Sequence, residues 1–424
     1  MPQVARNRSI VCVLVVVTFI ITPRGGLFAA TVDPARKIVI FVDGTPLATQ
    51  QLIVTLLGGQ IIHVLSLINA LAVRLPLGNL TTILQSLLSN PNVVGVFDDL
   101  VGLSGTSITL LNPSAGEDFE WGQYHIGIPT VYDHGKGLQG LGVTVAVLDT
   151  GIDLDHPDLR QNIVGGFNAI SEKQSYDDNN GHGTHIAGII AATVNGQGII
   201  GTASQTTIVA VKVLDETGSG YLSDFINGLQ WVRNQGTRVL NMSLSFAQDS
   251  VPLQRAVQRL YQAGAIMVAA AGNCGQAGGS VEESDGGDDE EGTACNPSQP
   301  SQNTILYPAA YPEVIAVAAT DVDDRITNYS RSGPEVAVAA PGGAKASARI
   351  LSTAPGGRYA LGSGTSQAAA HASGVVALAL QRLPGISFDW VVELLQSTAR
   401  DLKYPPERQG AGLIDAQKMM QALK

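Results

Sequence analysis

Ser366 lies in the run Gly364-Thr365-Ser366-Gln367-Ala368-Ala369-Ala370-His371. Small, turn-forming residues precede it. The Ala-rich sequence after it keeps apolar residues at helical spacing to Leu383 and is stopped by Pro384-Gly385. A serine in the first turn of such a helix has free backbone N–H groups around it and the positive end of the helix dipole beside it. It can be a helix cap or a nucleophile, and the serine alone does not decide which. A hydroxyl is a weak nucleophile at its own pKa and needs a base. His182, in Asn180-Gly181-His182-Gly183-Thr184-His185, is a candidate; singly, it also fits a helix-capping loop. Asp149, in Leu148-Asp149-Thr150-Gly151-Ile152-Asp153, could orient that imidazole; singly, it also fits a turn cap. In chain order the three supply an acid, a base and a nucleophile.

The elements around them predict how they are held. From Trp121 onward apolar strand patterns alternate with helical ones: strands at 143–148, 207–214, 239–244, 265–271 and 314–319, and helices at 184–193, 222–234, 252–263 and 415–423. This alternation predicts an α/β domain with a mostly parallel sheet covered by helices on both faces. Asp149 then closes a strand at its carboxyl end, where open parallel sheets place functional groups. Before this domain, residues 31–102 read as a small α+β module of order β-α-β-β-α-β, a ferredoxin-like split motif, with Asn69 as a break. Residues 102–116, rich in Ser, Thr, Gly and Pro, read as a linker. The predicted division is a signal segment over 1–30, the module and linker over 31–115, and the larger domain over 116–424.

The chain has 424 residues, 45% hydrophobic, and a net charge of −11, which argues against a nucleic-acid partner. Arg6 and Arg8 precede an apolar run from Ile10 to Ile21 that has signal-peptide length and is short for a membrane span. The expectation is export, to the extracellular space or a periplasm, with no stable membrane span. Cys12 would leave with that segment, and the remaining pair, Cys274 and Cys295, is expected to form a disulfide in an oxidising compartment.

Asp149-Thr-Gly-Ile-Asp, His182-Gly-Thr-His and Gly364-Thr-Ser, in that order, resemble the three signatures of the subtilisin-like serine proteases. The resemblance covers about Trp121 to the C-terminus and includes Gly410-Ala-Gly-Leu-Ile-Asp415. It implies a serine endopeptidase that hydrolyses peptide bonds through an acyl-enzyme. His182 would take the Ser366 proton and pass it to the leaving amine, while Asp149 would fix the tautomer. The segment Ala269-Ala-Ala-Gly272-Asn273 resembles the family's oxyanion segment, which implies the Asn273 amide and the Ser366 N–H as donors. Polypeptide substrate would add as a strand between Gly218-Ser219-Gly220 and Ser243-Leu244-Ser245. Ala270 and Gly272 would line the primary pocket, and Ser245, where the family often has Gly, would narrow its approach. Gln367 and Ala370 depart from the family's usual Met and Pro.

The same resemblance implies a self-processing precursor. Its α+β module would act as an intramolecular inhibitor and as a folding template for a slow, high-contact-order sheet. It also implies a structural calcium ion held by Asp158, the Asn195 side chain and the carbonyls of Thr193, Gln197 and Ile199. After Asn273 comes an insertion carrying seven acidic residues over 282–291, which either biases substrate choice toward basic residues or is a solvated loop. Two other readings compete. An α/β-hydrolase esterase would need Gly-x-Ser-x-Gly and the order Ser, acid, His, which the chain lacks. A peptide-binding pseudoprotease draws on Gln367 and Ala370.

Overall fold

The computed structural model describes residues 32–105, 108–111, 117–134, 137–274, 304–344 and 348–423; the signal segment, the acidic run 282–291 and Cys295 lie outside them.

Apolar residues on both faces of one strand organise the N-terminal module. Arg36–Phe41 (β1), Leu47–Leu56 (α1), Gln60–Leu65 (β2), Ala70–Arg74 (β3), Leu80–Leu88 (α2) and Val93–Asp98 (β4) follow one another. The strands form an antiparallel sheet of order β2-β3-β1-β4. Side chains alternate across the pleat, so Val39 and Phe41 pack with Val54, Ile83 and Leu87 of the module's helices. Ile38 and Ile40 face the other way, into a core shared with Leu222, Phe225, Ile226, Leu253 and Val257 of the larger domain. That double burial is why β1 reads as a continuous apolar run. Asn69 makes the break between β2 and β3 in the left-handed region, at φ 53°, and its amide donates to the Phe41 carbonyl at 3.0 Å.

Polar groups fix the orientation of the module. Arg36 donates to the Ser223 hydroxyl at 2.9 Å, His63 Nε2 meets Asp224 Oδ1 at 2.7 Å, and the Leu67 N–H donates to the Gln230 side chain at 2.9 Å.

The segment read as a linker contains two strands, Val101–Ser104 (β5) and Ile108–Leu111 (β6). Their apolar residues, Val101, Leu103, Ile108, Leu110 and Leu111, sit among Ser, Thr and Gly in runs of only four; the pairing edges come from residues more than a hundred positions away. Two short helices, Trp121–His125 (α3) and Ile128–His134 (α4), lead into the large domain. It continues with Thr144–Asp149 (β7), Ile163–Asn168 (β8), His182–Ala191 (α5), Thr207–Lys212 (β9), Ser219–Tyr221 (β10), Leu222–Gln235 (α6), Val239–Met242 (β11), Leu244–Ser245 (β12), Val251–Gln262 (α7) and Ile266–Ala270 (β13). Ile315–Thr320 (β14), Val336–Pro341 (β15), Ile350–Ala354 (β16), Arg358–Gly362 (β17), Thr365–Arg382 (α8), Phe388–Thr398 (α9), Pro406–Gln409 (α10) and Ala416–Ala422 (α11) complete it.

Among the described residues, seven strands form one parallel sheet of order β15-β14-β13-β11-β7-β9-β8. Helices α5 and α8 pack on one face with Val145, Val147, Val268 and Val317. Helices α6 and α7 pack on the other with Ala146, Leu148, Leu240 and Met267. This is the doubly covered α/β architecture expected from the alternation. Strand β8 escapes pattern reading because Gly165-Gly166 dilutes it, and β15 because it is rich in alanine. No helix among the described residues is long and apolar enough to cross a membrane.

Candidate active site

The strand β7 ends on Asp149 and the helix α5 begins on His182, and the two side chains meet in the interior. His182 Nδ1 lies 2.7 Å from Asp149 Oδ1, and both residues are buried, at 1% and 0% exposure. The loop before α5 is held from beneath. Asp178 accepts from the N–H groups of Gly181 and Thr184 and from the Thr150 hydroxyl, so the acidic side chain caps the helix start. Burial opposes a charge on His182, but the charge and hydrogen bond of Asp149, with the charge of Asp178, outweigh it and raise the pKa above 6.5.

Helix α8 begins at Thr365 and buries every residue through Leu380. Ser366 is in its first turn, where backbone N–H groups have no acceptor within the helix. The Ser366 hydroxyl donates to the Ser243 carbonyl at 3.2 Å; it is not paired with the imidazole, and His182 Nε2 has no hydrogen-bond partner among the described residues. A hydroxyl can change acceptors by rotation about one side-chain bond. The main chain at Ser366 is tied down: its carbonyl accepts from the Ser243 hydroxyl at 3.0 Å, and Asn241 bridges Ser243 to Ser373 of the same helix.

Asn273 follows the carboxyl end of β13. Its Oδ1 accepts from the Thr365 N–H at 3.0 Å and the Thr365 hydroxyl at 2.9 Å. This orients the amide, whose Nδ2 donates to the Gly105 carbonyl at 2.6 Å. Gly105 follows β5, and β5 lies antiparallel between β10 and β12. Leu103 sits opposite Ser219 and Ser245, Gly102 opposite Gly220, and Ser104 opposite Leu244. The Ser104 N–H donates to the Gly218 carbonyl at 2.8 Å. The edges expected to bind an extended peptide are thus occupied by the chain's own residues 101–104. A methyl group built on Gly105 would stand 3.0 Å from Asn273 Nδ2 and 3.9 Å from Ser366 Oγ. Beyond it, β6 pairs antiparallel with β17, just before α8.

Ala270 is buried in β13, and Gly272, at φ 99°, is covered: a Cβ there would lie 2.9 Å from Leu306 and 3.0 Å from Arg331 Cδ. Leu306 carries no motif that sequence reading could have used. Gln367 is fully buried in α8, with its amide 3.5 Å from His185 Nδ1.

The residues expected to hold calcium also converge. Asp158 accepts from the Asn195 amide at 3.0 Å, the Tyr359 hydroxyl at 2.8 Å and the Ile199 N–H at 3.4 Å. The loop 193–199 closes over it, with the Gln197 N–H on Asn195 Oδ1 at 3.1 Å and the Thr193 N–H on the Asp158 carbonyl at 2.8 Å. Sequence reading missed Glu117, whose carboxylate accepts from the Gly196 N–H at 2.8 Å; the two are 79 residues apart and no local spacing announces the contact. Among the described residues no three His, Cys, Asp or Glu side chains gather to hold a metal.

A buried Asp–His pair, a serine at a helix start and an oriented amide on a carbonyl lie together at one end of a parallel sheet, with a strand of the chain laid across them, an arrangement suited to a serine hydrolase. Residues 140–412 match the subtilase family. The chain is 40% identical over 294 residues to a thermostable alkaline protease of Halalkalibacterium halodurans, covering 69% of this chain and 72% of that protein. It is 39% identical over 267 residues to subtilisin DY of Bacillus licheniformis, covering 63% and 87%. To subtilisin E of Bacillus subtilis it is 39% identical over 289 residues, covering 68% of each. The chain belongs to the subtilase family of serine endopeptidases.

Proposed function

We propose that this chain is the precursor of an exported endopeptidase that cuts itself between Gly105 and Thr106. The observation that carries this is the Asn273 amide on the Gly105 carbonyl at 2.6 Å, with β5 seated between the two edge strands. In this reading the Gly105 carbonyl is the group attacked. Ser366 rotates from the Ser243 carbonyl toward His182, which takes its proton and delivers it to the Thr106 amine. Asp149 holds the ring tautomer, and Asn273 with the first-turn N–H of Ser366 stabilises the oxyanion. The N-terminal module remains as an inhibitor and folding template, supported by the core it shares with α6 and α7. The test is N-terminal sequencing of the purified product together with labelling by a fluorophosphonate. A product beginning at Thr106 and labelled on Ser366 is expected; an unlabelled protein would support the peptide-binding pseudoprotease instead. The pairing of Cys274 with Cys295 belongs to the same exported reading.

Because the base must be neutral to accept a proton, a raised His182 pKa moves the acidic limb of activity upward. We expect kcat/KM for a neutral peptide to fall tenfold per pH unit below a pKa higher than 6.5. A limb below that value, measured on the matured enzyme, would contradict this assignment.

We further propose that Asp158, Asn195 and the carbonyls of Thr193, Gln197 and Ile199 hold calcium, with Glu117 as an added carboxylate. The donors are all oxygens and two are charged, which suits a hard divalent cation. When bound, the ion would tie the 193–199 loop to Asp158 and Glu117 and offset the charge of the two carboxylates. At a calcium concentration 100 times the dissociation constant, the gain is about 2.7 kcal/mol, or roughly 4 °C in Tm for a domain of about 300 residues. Chelation should remove that increment, and Asp158→Ala should remove most of the chelator's effect. Superimposable melting curves with and without chelator would refute the site.

A further inference from the structure

The strand β5 shows what the cleft accepts, and at one position it accepts no side chain. Counting back from Gly105, Gly102 is the fourth residue before the proposed cut. It is buried, and a Cβ built on it would lie 2.7 Å from Cε1, 2.9 Å from Cζ and 3.1 Å from Cδ1 of Phe246. Among the other residues before the cut, Leu103 is half-buried and Ser104 fits its hydroxyl against Gly218, while a Cβ on Gly105 would lie 3.0 Å from the Asn273 amide, less tightly confined than one on Gly102.

The Phe246 ring is not free to retreat. It is 1% exposed, and Phe225 backs it at 5.6 Å between ring centroids. The Phe246 main chain is pinned by reciprocal bonds to Tyr307, N–H to carbonyl at 2.7 Å and carbonyl to N–H at 3.1 Å. Across the strand, Gly220 stands opposite Gly102. A Cβ on Gly220 would come within 2.1 Å of the Val213 carbonyl, so that edge is also packed against main chain. The cleft is therefore closed at this position from the Phe246 side by an aromatic ring wedged into the core, where overpacking has nowhere to relax.

We infer that Phe246 makes this enzyme selective for substrates with glycine at the fourth residue before the cut, in the pattern Gly-Xaa-Xaa-Xaa. The inference rests on the endopeptidase reading and on Gly105 as the residue before the cut. It names a substrate class: extended, glycine-containing chains whose glycine stands three residues upstream of the residue that donates the scissile carbonyl. It also accounts for Gly102 in the chain's own strand, where Val101 and Leu103 on either side are apolar.

The test is a series of internally quenched peptides built on Xaa-Leu-Ser-Gly-Thr, with Gly, Ala, Val, Leu or Phe at Xaa, cut by the matured enzyme. The Gly peptide should be cleaved with a kcat/KM about 10- to 100-fold above the Val, Leu and Phe peptides, with Ala between. Phe246→Ala should shrink the Gly-to-Leu ratio at least fivefold. In the precursor, Gly102→Leu should slow maturation, and adding Phe246→Ala should restore it. Should Phe246→Ala not fold, the wild-type peptide series decides by itself. Equal cleavage of the Gly and Leu peptides overturns the inference and leaves the endopeptidase reading standing. If no peptide is cut, that reading fails. Displacement of a fluorescent Gly peptide by the same series then decides the steric claim: displacement by Gly alone upholds it, and equal displacement overturns it.

Discussion

Ser366→Ala should accumulate as an uncut chain that retains the N-terminal module and hydrolyses no peptide. The hydroxyl is the nucleophile in the proposed reaction, and no neighbouring group can replace it: the adjacent Thr365 hydroxyl is committed to Asn273 and to the Gly272 N–H. In subtilisin, loss of the corresponding serine lowers kcat on the order of 10⁶-fold. The folded state should survive, because the side-chain bond lost among the described residues is one hydroxyl donating to the Ser243 carbonyl at 3.2 Å, while Ala is a better helix former than Ser. With β5 still attached and seated in the cleft, the variant should also resist added protease better than the matured enzyme does. The measurement is intact mass, with circular dichroism as the folding control, after expression in a host without other extracellular proteases. Normal maturation there would show that another enzyme makes the cut.

Asn273→Ala should lower kcat by about 10²- to 10³-fold with little change in KM. The amide sits 2.6 Å from the carbonyl that would become the oxyanion, and charge develops there only as the transition state forms, so the loss falls on kcat. Self-cleavage should slow by a similar factor, visible as a long-lived precursor band. Thr365→Val keeps the volume but removes the hydroxyl that accepts from the Gly272 N–H at 3.1 Å and donates to Asn273 Oδ1 at 2.9 Å. It should cost less than Asn273→Ala, because the Thr365 N–H still holds that oxygen at 3.0 Å. A fall of under threefold in Asn273→Ala, or a change confined to KM, would remove Asn273 from the proposed oxyanion role.

The sheet and the α+β module were legible because their signals are local. Near-continuous apolar runs mark β7, β9, β11 and β13, and Asp415, whose side chain caps α11 by accepting from the Lys418 N–H at 2.8 Å, announces the last helix. The segments bearing Asp149, His182 and Ser366 were legible for a related reason. Each combines a candidate residue with its own structural element, a strand end or a helix start, inside about five residues.

What escaped the sequence depends on contacts between distant segments. Strands β5 and β6 are four-residue runs inside a segment of linker composition, and they become strands where β10, β12 and β17 offer edges to pair with. Glu117 meets the 193–199 loop, and Leu306 covers Gly272, through contacts that no spacing rule announces. The Ser366 hydroxyl faces the Ser243 carbonyl because of a side-chain rotamer, which residue type does not specify. Sequence alone therefore determined the architecture, the family resemblance and the candidate residues Asp149, His182 and Ser366, since periodicity and motif are properties of neighbouring positions. Tertiary structure alone decided that residues 101–105 fill the cleft and that Phe246 closes it opposite Gly102, because steric fit and edge pairing exist only once remote residues are brought within a few ångströms.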